Sequence, residues 1–87
     1  MPYISKSDRS DINQKIVYAG RSIHNTGELN YLVTRIIDEY IHAKGKSYTS
    51  INEVIGVLEC AKLELYRRIA APYEDIKLKQ NGEVYTV

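Results

Sequence analysis

The chain has no tryptophan, no phenylalanine, a single cysteine, two prolines and almost no excess of one charge. Each shortage excludes something. One thiol, Cys60, closes no internal disulfide, so a disulfide-stapled secreted scaffold is out. No apolar run reaches the ~18 residues of a membrane span, and no membrane partner is expected. The opening Met1-Pro2-Tyr3-Ile4-Ser5-Lys6 lacks an apolar stretch of signal-peptide length, so the chain is expected to stay inside the cell that makes it. Twelve Lys and Arg stand against eleven Asp and Glu, a formal net charge of +1. A protein that coats nucleic acid needs a strong basic excess to release counterions, and here the cations are dispersed as well. At 87 residues the sequence holds one small domain, 1–87, whose narrow stability makes self-association a natural supplement.

What is present in place of Phe and Trp is tyrosine, eight times. A core built for packing alone uses Phe, because a buried tyrosine hydroxyl must find a hydrogen-bond partner. Tyrosine suits half-wet surfaces such as subunit interfaces and ligand pockets.

Hydrophobic periodicity predicts an all-α domain of three helices, over roughly 8–24, 27–43 and 50–71, arranged as a helical hairpin plus a long third helix. In the first, Ile12, Ile16, Ala19, Gly20 and Ile23 share a stripe, with Ser7 or Asp8 at its start. Thr26 is read as the cap of the second, whose face is Leu29, Leu32, Val33, Ile36, Ile37, Tyr40 and Ile41, with Gly45 as its left-handed stop. Ser50 and Glu53 read as a capping box for the third. At about 100° per residue, Ile51, Val54, Ile55, Leu58, Ala61, Leu65 and Ile69 share its apolar side. Gly56, Cys60 and Leu63 lie together on the other side. Two packing faces on one helix, with little chain to cover both, predict a homo-oligomer in which these three residues form an interface.

Pro72 either kinks the third helix or opens a short new one. Beyond it, 73–87 reads two ways. The alternation around Asn81-Gly82 fits a hairpin, while the same pair also stops a short helix that precedes an extended arm. The helix is the preferred reading, since a lone hairpin is marginal in water.

Several stretches resemble a family of small, largely uncharacterised proteins of tailed phages and prophages. They are Met1-Pro2-Tyr3-Ile4, Gly27-Glu28-Leu29-Asn30-Tyr31 with Thr34-Arg35, Ile51 to Cys60, Lys62 to Arg68, Ala71-Pro72-Tyr73-Glu74-Asp75, and Asn81-Gly82 with Val84-Tyr85. The resemblance covers nearly the whole chain. It implies a phage origin and action in the cytoplasm of an infected bacterium.

Catalytic chemistry finds no foothold. Asp38 and His42 are one helical turn apart, but no third ligand joins them, and a solvated histidine near a helix end is the simpler account. Cys60 sits among packing residues. No phosphate loop or nucleophile elbow is present. No enzyme, metal or cofactor is therefore expected. Lys62 is the oddity, an ammonium about 20° from the centre of an apolar stripe. It must snorkel, pair with a carboxylate such as Glu59, or meet an anion.

Tyr31 with Arg35, and Tyr66 with Arg67 and Lys62, pair rings that stack on a base with cations that hold phosphate. The expected function is a non-enzymatic phage protein that sequesters a small anionic ligand. Analogy with phage sponges suggests a nucleotide immune signal, a cyclic nucleotide or an ADP-ribose derivative. Tyr31, Arg35, Lys62, Tyr66 and Arg67 are the candidate ligand residues. The alternative is a helical, oligomeric interaction module that docks on a phage or host protein, for which Tyr and Arg are equally suited.

Overall fold

In the computed structural model, which describes residues 1–87, the chain is all helical. The elements are α1 (Lys6–Arg21), α2 (Thr26–Lys44), α3 (Tyr48–Leu65), a π-helical segment (Tyr66–Ala70) and α4 (Ala71–Asn81).

Side-chain caps open α2 and α3, whereas α1 begins without one. Ser5 precedes α1 and donates to Asp8 over 2.8 Å. The first helix ends at Arg21, three residues before the predicted limit. There the Ser22 and Ile23 N–H groups turn back onto Tyr18, Ala19 and Gly20, leaving Asn25 free to start the next helix. Asn25, and not Thr26, caps α2, its side-chain oxygen accepting from the Glu28 N–H at 2.9 Å. Gly27 leaves room for that cap, because a Cβ there would stand 3.3 Å from Asn25 Oδ1. Gly45, at φ 90°, ends α2 as predicted.

The capping box of α3 lies one turn earlier than Ser50 and Glu53. Ser47 and Ser50 exchange backbone N–H to hydroxyl bonds, both at 3.1 Å. Ser50 Oγ also donates to the Gly45 carbonyl at 2.8 Å. Glu53 is thereby released and accepts from the Tyr40 hydroxyl at 3.3 Å.

Pro72 stands in the first turn of α4, as one of its two readings had it, and helical hydrogen bonding runs into α4 from α3 through the π segment. Pro72 has no N–H to donate, and in α geometry its ring would strike the carbonyl four residues back, that of Arg68. The π segment widens the turn just ahead of it, with the Ala71 N–H bonding to the Tyr66 carbonyl five residues back. The 34 residues from Tyr48 to Asn81 therefore form one rod. At 1.5 Å per residue this is about 51 Å, matching the 50 Å long axis of the molecule. Gly82, at φ 91°, stops the rod, and residues 82–87 form an extended arm without a hairpin.

The predicted hairpin plus third helix does not close into a three-helix core. α2 packs against α3, half-burying Leu32, Ile37, Ile41 and Val54, whereas α1 lies apart from the α2–α3 pair. The N-terminus returns to the rod, where the Tyr3 hydroxyl donates to Glu64. Three helical struts thus meet at three corners: Tyr3 with Glu64, the loop 22–25, and the turn 45–47. Ser50, at 4% exposure, is the one buried residue, and no apolar side chain is buried. The radius of gyration is 17.0 Å, against about 12 Å for a compact domain of this length. The accessible surface is 7989 Å²; a compact chain of 10.0 kDa exposes about 5,200 Å². The molecule is an open frame.

Candidate functional site

The five predicted ligand residues fall on three elements, two of them consecutive along the rod. Tyr31 and Arg35 sit on α2, Lys62 on α3, and Tyr66 and Arg67 at the start of the π segment. Tyr31 is 68% exposed. No hydrogen bond or ion pair joins the α2 pair to the other three.

Each candidate cation already has a carboxylate from its own helix. Arg35 forks between Asp38 and Glu39, both at 2.7 Å. The Glu39 hydrogen bond, then its charge, holds the guanidinium more firmly protonated than usual. Lys62 lies 3.2 Å from Glu59, and Arg67 3.3 Å from Glu64. Among all lysines and arginines only Lys15 is paired in the same way, with Asp11 at 3.0 Å. An incoming phosphate would have to displace these carboxylates, which weakens the predicted anion site. Tyr66 donates to Glu74 at 3.3 Å, and the Glu74 charge raises its pKa. Arg68, beside it, has no carboxylate partner.

Of the predicted interface residues, Gly56 faces open space. Cys60 and Leu63 share a shallow groove with Met1, Pro2, Glu64 and Arg67, so the chain's own N-terminus lies against part of that face. This latch was missed at the sequence level. Tyr3 anchors it, and Arg9 Nε steadies the turn behind it by donating to the Ile4 carbonyl at 2.9 Å. The Tyr3 hydrogen bond holds the Glu64 carboxyl below the usual carboxylate range, partial burial opposes it, and Arg67 and Arg68 reinforce it. Tyr3 is raised in turn, chiefly by the same bond. The only sequence-level signal was a tyrosine placed among small and apolar residues at the very start.

A second groove runs between α2 and α3, about 220 Å³ in volume, and six of its seven lining residues are hydrophobic. Ile36, Ile37, Val54, Val57 and Leu58 form its walls, while Glu53 and Tyr40 bond each other at its edge. Small-molecule sites usually enclose about 300–1,000 Å³ with several convergent polar groups, so this groove suits apolar side chains better than a nucleotide. His42 stands 3.7 Å from Asp38. No group of three His, Cys, Asp or Glu side chains is placed to hold a metal ion, and no helix is long and apolar enough to cross a membrane.

Residues 1–84 match the family described as Domain of unknown function (DUF6899). The chain belongs to that family. No curated protein and no solved structure matches it. In this DUF6899 domain the groove between α2 and α3 is too small and too apolar to suit a nucleotide. Its most extensive chemical feature is the apolar surface of the open frame.

Proposed function

We propose that this DUF6899 domain is a non-enzymatic interaction module that works as a homo-oligomer and docks on a protein partner. One observation carries the reading: a chain that is 44% hydrophobic buries no apolar side chain. Apolar surface left in water is unfavourable by roughly 25 cal/mol per Å², and exposure on this scale marks interaction surfaces. The resemblance to phage proteins adds a setting, the cytoplasm of an infected bacterium, with a phage or host protein as the partner.

The test is sedimentation of the purified chain, followed by capture of partners from phage-infected and uninfected cells. A concentration-independent monomer that captures nothing specific to infection would overturn this function. An oligomer that retains one defined protein, and loses it when Leu63 is changed to Glu, supports it.

A second reading, sequestration of a small anionic nucleotide signal, is favoured by the π segment. Such segments concentrate at functional sites, and this one carries Tyr66, Arg67 and the unpaired Arg68 on a widened turn. It calls for a thermal shift confined to one class among cyclic dinucleotides, cyclic ADP-ribose isomers and ordinary nucleotides, and for loss of that shift in Arg67→Ala. A flat response across the panel removes it.

A further inference from the structure

The rod carries one stripe that its own chain leaves largely open, α2 reaching it only at Leu58. Ile51, Ile55, Leu58, Lys62, Leu65 and Ile69 recur at alternating intervals of four and three, the spacing of helices that pair along a seam. The five apolar members are exposed, from 38% at Ile51 to 63% at Ile69. α2 flanks this stripe along Val54 and Leu58, and the N-terminal latch lies round the helix against Cys60 and Leu63.

We propose that a second copy of this chain occupies the stripe. The two rods pair antiparallel about a twofold axis level with residue 60, and Lys62 is the polar key that sets their register. The inference rests on the self-association proposed above and names its surface.

Three observations carry it. The first is the symmetry of the stripe. A twofold axis at residue 60 sets Ile51 of one copy opposite Ile69 of the other, Ile55 opposite Leu65, and Leu58 opposite Lys62, so apolar meets apolar at the outer pairs and the Lys62 stem lies on Leu58 at the centre. Such an isologous contact closes on itself and needs no second kind of partner.

The second is charge. With a rise of about 1.5 Å per residue, Lys62 lies about 3 Å to one side of the axis and Glu59 about 1.5 Å to the other. The twofold operation carries the Glu59 of one copy to within about 1.5 Å of the height of the other copy's Lys62, on the same flank of the seam. Each ammonium, which meets only its own Glu59 at 3.2 Å in the single chain, gains a second carboxylate. Sliding the rods moves Lys62 away from that carboxylate, and a polar group at one seam position selects register in this way.

The third is area. The frame exposes about 2,700 Å² more than a compact chain of its mass. Obligate homodimers bury about 2,000–5,000 Å² counted over both partners, or about 1,000–2,500 Å² from each, so one frame's excess exceeds what its share of a stable dimer needs.

The experiment is sedimentation velocity on the full chain and four variants, with circular dichroism to confirm helicity. Ile55 and Leu65 are exposed in the single chain, so Ile55→Glu and Leu65→Glu keep their helices and should sediment as monomers. Lys62→Glu alone, and Glu59→Lys alone, each gather four like charges at the axis. Each should weaken association about tenfold or more, and a one-to-one mixture of the two should recover it as a heterodimer. A monomeric wild type overturns this seam together with the self-association beneath it. An oligomer that Ile55→Glu and Leu65→Glu leave intact overturns the seam alone. Two weakened single variants whose mixture does not recover overturn the register.

Discussion

At the scale of single residues, two polar contacts hold the corners of the frame. Ser50 joins the Ser47 cap to the Gly45 carbonyl, and it is the one buried residue. Ser50→Ala strands the Ser47 N–H and that carbonyl, and losing a capping contact costs about 1 kcal/mol. For a chain of this length the melting midpoint should fall by about 4–8 °C, read by circular dichroism at fixed protein concentration. A midpoint within a degree of the wild type would show that the corner is held by packing alone.

The Tyr3–Glu64 latch titrates from both ends. Glu64 is depressed below its ordinary value of 4.5, so its contribution is fully present above that pH and is lost as pH falls through the lowered value. Tyr3 is raised above 10.0, so its contribution is present below that pH and is lost as pH rises through the raised value. Amide resonances of residues 1–5 should therefore hold steady between these limits and move at each extreme, and Tyr3→Phe should abolish both movements. Identical titrations in the two proteins would detach the latch from this pair.

At the scale of elements, the sequence made the helices legible and left their joints obscure. Apolar periodicity located α2 and the start of the rod, and Gly45 and Gly82 stop helices where their φ near +90° allows. The caps were misread by one residue at Asn25 and by one turn at Ser47. Serine, threonine and asparagine compete closely for the cap position, and only the loop geometry decides between them. For the candidate site, the sequence singled out the right cations as unusual. It could not show that Arg35, Lys62 and Arg67 are each answered by a carboxylate three or four residues away, because such pairs are too common on helix surfaces to be diagnostic.

The passage through Pro72 was also hidden, since one proline is compatible with a kink, a break or a π turn. Pro72→Ala restores the missing N–H and removes the ring, so the π segment should relax to α geometry and α4 should rotate by about one residue, or 100°. Interior proline is unfavourable by about 3 kcal/mol, so the variant should melt higher. An unchanged hydrogen-bond pattern at Tyr66–Ala70, read by amide exchange and carbon shifts, would tie the π turn to side-chain packing instead.

At the scale of the whole molecule, the frame has strong local structure and little to hold its parts together. Backbone bonds within helices dominate, with Asn25, Ser47 and the two glycines defining where they start and stop. An isolated helix of α1's 16 residues is only marginally stable in water, and α1 has no apolar partner along its length. The frame as a whole lacks burial, which association along the rod supplies, so stability should depend on concentration as it does for obligate dimers. Each tenfold dilution removes about 1.4 kcal/mol of association free energy, and the wild-type midpoint should fall by a few degrees per decade. Leu65→Glu should already melt at the low end and stay there, because dilution has no association left to remove. A wild-type midpoint constant over several decades of concentration, with small-angle scattering returning the 17.0 Å radius of gyration throughout, would mean that the open frame stands alone and that both the proposed module and its seam are wrong.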